Sequence, residues 1–216
     1  MKRCLVIEEK SDEPIWQKNA RIETPKLQMN TQLLDAETLA EATATFFKSD
    51  SVKYLTDEEN RVKVFGKVYQ VPRKQCMYAT RPGTTYKFSG LTMKAHDEQE
   101  LPVLAKIREA VERETKTQFN VAVINYYADG QNTIGWHADD EGEMVKDSPI
   151  ASVSFGATRD FRFRLKADHS VTHGVALTHN MLCVMHFPTN RDWEHSVPKR
   201  AGVSEPRVNI TFRTFK

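Results

Sequence analysis

The sequence predicts an α+β protein that is mainly β, with a sandwich or jelly-roll core. In the C-terminal half, short segments of β-branched and aromatic residues follow one another, whereas amphipathic helical patterns occur only earlier in the chain. Helices do not alternate with these strands, as they would around a parallel α/β sheet. The length of 216 residues suits one domain of ordinary size.

Two helices are predicted before the strand-rich half. Asp35 can cap the first helix, and the second covers residues 101–116, with Pro102 in its first turn. Each has one apolar face, formed by Leu39, Ala42 and Phe46 in the first helix and by Val103, Ile107 and Val111 in the second. Both are therefore predicted to pack against the rest of the domain.

The strand predictions begin with a hairpin over residues 61–69, where β-branched residues flank Gly66 and place Phe65 at the tip. A short extended segment is predicted around Tyr86 and Phe88. The strands of the C-terminal half are predicted at residues 121–124, 150–155, 161–165, 181–185 and 207–213. On the strand at 161–165, the apolar residues share one face and the arginines share the other.

Composition and charge narrow the class of protein. Net charge is +2, so no overall electrostatic field indicates a polyanionic partner. No apolar run approaches the ~20 residues of a membrane-spanning helix, and three dispersed cysteines fit a reducing, intracellular compartment. Residues 1–26 mix charges and show no sustained apolar period, which predicts a loosely ordered extension before a folded domain over residues 27–216.

The segment His137-Ala138-Asp139 follows a strand-like stretch and places an imidazole and a carboxylate two residues apart on an extended chain. His195 lies in another extended segment 58 residues later and can supply a third ligand. Two histidines and one carboxylate with open positions favour non-haem Fe(II). A His-x-Asp pair arises easily by chance, and the other histidines compete for the third position.

A second signal lies at the end of the chain, where polar residues alternate with apolar ones. The polar set is Arg207, Asn209, Thr211 and Arg213. On a buried sheet face, two arginines need anions, and a small dicarboxylate supplies them through bidentate hydrogen bonds. The outer face of a solvated edge strand would show the same alternation. The nearby metal motif favours the buried face.

These residues, in this order, resemble the AlkB-type Fe(II)/2-oxoglutarate dioxygenases, whose pattern is His-x-Asp, a distant His and then Arg-x5-Arg. The resemblance covers residues 33–216. Further matching segments are residues 125–127, 134–137, 140–141, 148–156 and 206–213. Residues 64–67, 71–75 and 86–90 are most similar to the animal branch of the family that repairs alkylated double-stranded DNA.

The resemblance implies a double-stranded β-helix (jelly-roll) core with N-terminal helices and a nucleotide-recognition hairpin. By that resemblance, Fe(II) is held by His137, Asp139 and His195, and 2-oxoglutarate is surrounded by Asn125, Tyr127, Arg207, Asn209, Thr211 and Arg213. Arg207 is assigned to the distal carboxylate. The implied reaction uses O2 to hydroxylate an N-methyl group of 1-methyladenine or 3-methylcytosine, with formaldehyde, succinate and CO2 as products.

The resemblance also implies contacts to the damaged DNA. Phe65 is expected to fill the gap left by the flipped nucleotide, and Phe88 and His137 are expected to sandwich the base. Asp140 and Glu141 either favour a cationic methylated base or are simply solvated acids. The full set of expected substrate contacts is Val64, Phe65, Gly66, Lys67, Arg73, Tyr86, Phe88, Ser89, Asp140, Glu141 and Arg159.

Several alternatives remain open from the sequence. The substrate could be RNA or single-stranded DNA, although the hairpin favours a duplex. Two alternatives come from other functional classes: a non-catalytic nucleic-acid-binding β domain, and a zinc hydrolase with the same three ligands. The hydrolase would leave Arg207 and Arg213 without a role. The preferred interpretation predicts a monomer that acts on alkylated double-stranded DNA in the nucleus.

Overall fold

Fifteen strands dominate the part of the chain that the computed structural model describes, residues 24–64, 66–88, 90–139 and 142–216. The strands are β1 (Leu27–Asn30), β2 (Arg61–Val64), β3 (Lys67–Gln70), β4 (Lys74–Ala79), β5 (Thr85–Phe88), β6 (Leu91–Lys94), β7 (His96–Asp97), β8 (Val121–Tyr127), β9 (Ile134–His137), β10 (Ile150–Gly156), β11 (Arg159–Leu165), β12 (Asp168–Leu177), β13 (Met181–Met185), β14 (Trp193–Val197) and β15 (Arg207–Arg213). The helices are α1 (Ala36–Lys48), α2 (Pro102–Thr115) and α3 (Thr189–Asp192), with a 3-10 turn at Glu98–Glu100.

The strands form two main sheets and two separate hairpins. The larger sheet has the order β1-β13-β10-β15-β8-β4-β7, and the smaller sheet has the order β12-β11-β14-β9. Apart from the parallel pair β4 and β7, neighbours in both sheets are antiparallel. The hairpins are β2-β3 and β5-β6. This arrangement confirms the predicted mainly β class with a jelly-roll core.

Two apolar clusters lie on opposite faces of the larger sheet. One is formed by α1 and α2 against the outer face; it includes Ile107 and Phe212, and the ring of Phe46 stacks on that of Phe155. The other lies between the two sheets, where Phe163 and Trp193 of the smaller sheet are fully buried. Because α1 and α2 cover the outer face of the larger sheet, its central strands carry largely apolar residues on that side.

The two long helices begin and end at residues that the sequence indicates. The side chain of Asp35 accepts a hydrogen bond of 2.8 Å from the backbone N–H of Thr38, which caps α1. Pro102 opens α2, and Lys116 adopts φ +56° after its last turn and donates its N–H to the carbonyl of Glu112. Both predicted helices are therefore confirmed.

The hairpin and the five predicted C-terminal strands are also confirmed, since β2-β3, β8, β10, β11, β13 and β15 contain them. The predictions omitted five strands: β1, β4, β6, β7 and β12. β4 reads Lys-Gln-Cys-Met-Tyr-Ala and lacks β-branched residues, yet five of its six residues are buried in the sheet. Its conformation is set by tertiary packing rather than by local preference.

The predicted N-terminal extension, residues 1–26, lies almost entirely outside the described residues. Its last residue, Lys26, is well anchored, because its N–H donates to the hydroxyl of Thr189 at 2.8 Å and its carbonyl accepts from the N–H of His186 at 3.0 Å. β1 starts at the next residue and pairs with β13. Among the described residues, no helix has the length and hydropathy that crossing a bilayer requires.

Candidate active site

A cavity of about 880 Å³ is lined by strands of both sheets and by both hairpins. Val62 and Tyr69 bring β2-β3 to its wall, and Tyr86 and Met93 bring β5-β6. The cavity collects most of the predicted metal and cosubstrate residues, namely Asn125, Tyr127, His137, Asp139, His195, Asn209, Thr211 and Arg213. The fold therefore places chemically active side chains from distant parts of the chain around one space.

The two histidines come together because β9 and β14 pair in a register that sets His137 directly opposite His195. Their ring centroids are 4.2 Å apart. Asp139 follows the end of β9, and its carboxylate oxygens lie 3.6 Å from Nε2 of His137 and 4.0 Å from Nε2 of His195. One ligand atom from each residue falls within 4.8 Å of the others, which is close enough to share one metal ion.

The hydrogen bonds and burial of the two histidines suit metal binding. Nδ1 of His137 lies 2.9 Å from the carbonyl oxygen of Gly135; because a carbonyl can only accept, Nδ1 is the donor in this contact, which leaves Nε2 as the ring nitrogen directed to a metal ion. His195 is buried, and burial together with the neighbouring His137 lowers its pKa to about 3. Neutral imidazole is the metal-binding state at physiological pH.

Asp139 is buried and ionised. Burial alone would raise its pKa, but Arg213 and then the two histidines more than offset that effect and hold the pKa of the carboxyl well below its ordinary value. Nη2 of Arg213 donates to the Asp139 carboxylate at 2.7 Å, and its guanidinium lies 5.2 Å from the centre of the Tyr86 ring. The carboxylate is thus fixed as an anion beside the two histidines.

His137, Asp139 and His195 fit a divalent metal ion, as the resemblance to the AlkB-type dioxygenases implies. Two imidazoles and one carboxylate are the donor set that suits Fe(II), and all three residues line the cavity. Zinc accepts the same three ligands, so the donors alone do not choose between the metals. The choice depends on what else the cavity is built to bind.

A row of polar side chains crosses four neighbouring strands of the larger sheet. Its members are register partners on β10, β15, β8 and β4, namely Ser154, Asn209, Asn125 and Gln75. Oδ1 of Asn209 accepts from the hydroxyl of Ser152 at 3.0 Å and from Arg207 at 2.8 Å, while its Nδ2 donates to the Thr211 hydroxyl at 2.9 Å. Three of the predicted cosubstrate residues of β15, Arg207, Asn209 and Thr211, therefore form one hydrogen-bonded network.

Arg207 has a buried guanidinium that is suited to bind an anion. It is fully buried, its Nη2 donates to Ser154 and Asn209 at 2.8 Å each, and its guanidinium lies 5.2 Å from the centre of the Tyr127 ring. Nε and Nη1 are buried without a hydrogen-bond partner among the described residues. Burial lowers the pKa of Arg207 to about 10, which still leaves it cationic at neutral pH. A carboxylate would satisfy both nitrogens.

Arg73 and Gln75 extend this polar row toward the hairpins. Nε of Arg73 donates to Oδ1 of Asn125 at 2.7 Å, and its Nη2 donates to Oε1 of Gln75 at 3.3 Å. With Oδ1 of Asn125 occupied, its amide NH2 is the group left to serve a ligand. The sequence analysis missed Gln75, which is buried with Nε2 unpaired among the described residues. A prediction of β4 paired with β8 would have placed Gln75 opposite Asn125.

The expected substrate contacts are only partly described. Gly66, with φ +79°, lies in the hairpin turn, the exposed Lys67 begins β3, and the buried Tyr86 lines the cavity. For Val64 and Phe88 the structure gives the strand position alone. Phe65, Ser89, Asp140 and Glu141 lie outside the described residues, so their expected roles stay predictions.

Arg159 requires a correction. Its side chain has no solvent exposure and donates to the backbone carbonyls of Asp129, Asn132 and Pro198 at 2.7–3.0 Å. A guanidinium that is enclosed in this way offers no surface to a phosphate. Arg159 therefore ties together the loops around the smaller sheet, and its burial argues against the DNA contact that the resemblance implied.

This placement predicts an effect on stability. We expect Arg159→Met to lower the free energy of unfolding by about 2–3 kcal/mol, because three carbonyl oxygens lose a charged donor. Urea unfolding measures the change. The control is Arg162→Met on the same strand, whose exposed side chain should change stability by less than about 0.5 kcal/mol. Unchanged stability in Arg159→Met would contradict the structural role.

Comparison with known proteins places the chain among oxygenases. The DNA oxidative demethylase ALKBH2 of Bos taurus is 48% identical over 170 residues, which cover 75% of this chain and 60% of that protein. The human ALKBH2 is 49% identical over 169 residues, covering 75% and 64%. The alpha-ketoglutarate-dependent dioxygenase alkB homolog 3 of Mus musculus is 38% identical over 154 residues, covering 68% and 52%. The chain thus spans less than two thirds of these relatives.

The fold has a counterpart among solved structures. The structure of OsALKBH1 matches with a TM-score of 0.57 over 88% of this chain and 99% of that one, at 14% sequence identity, which is a likeness of fold. The family model of the 2OG-Fe(II) oxygenase superfamily matches residues 26–213. Members of that family use Fe(II), 2-oxoglutarate and O2, the requirements that the triad and Arg207 fit. The chain belongs to the 2OG-Fe(II) oxygenase superfamily.

Proposed function

We propose that this protein is a DNA repair dioxygenase that demethylates N-alkylated bases, 1-methyladenine and 3-methylcytosine, in double-stranded DNA. The observation that carries the chemistry is on β15: Arg213 pairs with the triad carboxylate, while Arg207 on the same strand has two buried nitrogens that find no hydrogen-bond partner in the described part of the chain. A metal triad beside an unsatisfied cation fits a metal-chelating dicarboxylate cosubstrate. The ALKBH2 relatives are named as DNA oxidative demethylases, which supports the substrate class.

In this proposal, His137, Asp139 and His195 hold Fe(II), and Arg207 holds the distal carboxylate of 2-oxoglutarate. Asn125, Tyr127, Asn209, Thr211 and Arg213 complete the cosubstrate pocket. When bound, Fe(II), 2-oxoglutarate and O2 supply the oxidation of the N-methyl group, after which the hydroxymethyl base loses formaldehyde. The protein residues orient the cosubstrate and keep the methyl group next to the metal.

The outer face of β11 supports a contact to DNA phosphates. Arg162 is exposed on this face, and Lys166 is exposed in the turn that follows the strand. Arg164 is engaged elsewhere, since it pairs with Glu194 at 2.6 Å and lies 4.7 Å from the centre of the Trp136 ring. Two exposed cations near the end of one strand suit backbone contacts, which position a duplex without reading its sequence. Action on DNA leads us to propose a nuclear location and a monomeric enzyme.

One assay tests the proposed function against its alternatives. Succinate release is measured with Fe(II) and 2-oxoglutarate, alone and with 1-methyladenine in duplex DNA, single-stranded DNA or RNA. We expect stimulation by the methylated duplex together with formaldehyde release. Stimulation by RNA or single strands alone would favour the alternative substrates. No turnover with iron would favour a non-catalytic domain or, if zinc supports hydrolysis, a hydrolase.

The duplex preference has its own test at Phe65. Unstacking a base from the duplex costs a few kcal/mol. In our proposal the Phe65 ring replaces the stacking that is lost when the base leaves the helix. Phe65→Ala should therefore lower activity on methylated duplex DNA at least about tenfold, equivalent to ~1.4 kcal/mol, and spare activity on the same lesion in a single strand. Val68→Ala, at a strongly exposed position of the same hairpin, is the matched control.

The two substrates separate the outcomes of this test. Equal losses on duplex and single strand would indicate that Phe65 supports the fold instead. If neither activity changed, the double-stranded specificity would be wrong, and a single-stranded or RNA substrate would be the better proposal even with the iron chemistry intact.

A further inference from the structure

The backbone of Asp139 is held by one side chain from a distant part of the sequence. The N–H of Asp139 donates to Oδ1 of Asn190 at 3.0 Å, and Nδ2 of Asn190 donates back to the carbonyl oxygen of Asp139. The two residues are 51 positions apart. The amide of Asn190 thus satisfies both polar groups of the Asp139 main chain.

Asp139 needs such support because it lies outside the sheet. β9 ends at His137, and the last ladder contact of that strand is the pair His137–His195. The two hydrogen bonds from Asn190 are the only ones that the Asp139 backbone makes with the described residues. Arg213 holds one carboxylate oxygen, but a single ion pair does not fix the direction of the main chain.

Asn190 is itself placed by contacts on both sides. It lies in α3, which leads directly into β14 and His195. The preceding residue, Thr189, is buried and hydrogen bonded to Lys26. On the other side, the ammonium group of Lys166 donates to the carbonyl of Asn190 at 3.3 Å. The amide therefore links Asp139 to the segment that carries the second histidine of the triad.

We propose that Asn190 is a positioning residue that orients Asp139 toward the metal and thereby sets metal affinity. This inference rests on the proposed metal site. Asn190 is not a ligand; it acts through the backbone of a residue that is. Groups that orient ligands without touching the ion typically change metal affinity by about 10–100-fold when they are removed.

The test is a titration of untagged, metal-free protein with Ni(II), without DNA or cosubstrate. Ni(II) binds such sites more tightly than Fe(II), so weakened variants stay measurable. We expect Asn190→Ala to raise the dissociation constant at least about tenfold. The control is Arg191→Ala, because Arg191 is exposed on the same helix and its ion pair with Asp192 and its contact with the Phe187 ring do not involve Asp139; this variant should bind like the wild type.

A double-variant cycle shows whether the effect passes through Asp139. If it does, adding Asn190→Ala to Asp139→Ala should weaken Ni(II) binding no further. Equal losses in both backgrounds, or wild-type affinity in Asn190→Ala, would overturn the inference. Should Asn190→Ala fail to fold, Asn190→Ser keeps a polar side chain that cannot reach both backbone groups and should weaken binding in the same direction; wild-type affinity in that variant would equally overturn it.

The same titration separates this inference from the proposed function. A wild-type protein that binds no Ni(II) would overturn the metal site and the role of Asn190 together. Wild-type binding that Asn190→Ala leaves unchanged would overturn the positioning role alone. A failure to demethylate DNA would count against the proposed substrate and would leave the affinity comparison as it stands.

Discussion

Asp139→Ala is expected to abolish turnover while the domain stays folded. The variant removes the only carboxylate of the triad and leaves two imidazoles for a divalent ion. It also leaves Arg213, which is buried, without its 2.7 Å partner. Removing one member of a buried ion pair costs about 3–5 kcal/mol, which a domain of ordinary stability, about 5–15 kcal/mol, can lose and still fold.

Formaldehyde and succinate release with added Fe(II) measure the loss, and circular dichroism with thermal unfolding confirms the fold. The control is Asp160→Ala, whose partly exposed carboxylate lies 3.5 Å from Arg200 on the surface of the smaller sheet. That variant should keep wild-type turnover. Demethylation by Asp139→Ala at the wild-type rate, with iron supplied, would refute the assignment of the metal site.

The fold was predictable where the signals were local. Asp35 as a cap, Pro102 at a helix start and Gly66 in a hairpin turn act through neighbours within a few residues. β4 and β12 were missed for different reasons. β4 contains Met77 and Tyr78 rather than β-branched residues, and its partner β8 lies about 50 residues away in the chain. β12 pairs with the preceding strand, β11, but mixes polar and apolar residues along the edge of the smaller sheet and lacks a clear apolar pattern.

In the candidate site, too, the residues that follow a local pattern were predictable and those placed by distant contacts were not. Arg207 and Arg213 could be placed on one face because alternation on a strand is a local property, and the structure brings that face together with the triad. The hydrogen bonds between Asn190 and the Asp139 backbone join residues 51 positions apart, and no local pattern in the sequence predicts them. Alternation also bears on Arg159: it shares the parity of Phe161 and Phe163, the inward face of β11.

Arg207→Ala is expected to raise the 2-oxoglutarate concentration required for half-maximal activity by about 10²-fold or more. Nε and Nη1 of Arg207 have no hydrogen-bond partner among the described residues, so both are available to one carboxylate. Hydrogen bonds between charged groups contribute about 1.5–3 kcal/mol each, and a bidentate pair in a buried site reaches the ~2.7 kcal/mol that a hundredfold change requires. Turnover at saturating cosubstrate should fall less than the apparent affinity, because in the proposed function Arg207 holds the end of 2-oxoglutarate that is away from the metal.

Two variants make this prediction specific to the guanidinium. Arg207→Lys keeps the charge but loses the planar fork, so its apparent affinity should lie between those of the wild type and Arg207→Ala. Arg113→Ala removes an exposed arginine of α2 and should leave the cosubstrate requirement unchanged. If Arg207→Ala bound 2-oxoglutarate as well as the wild type, the assignment of Arg207 to the distal carboxylate would be wrong, and another residue would have to hold that group. The next position to test would then be Arg73, which reaches the same row of side chains through Asn125.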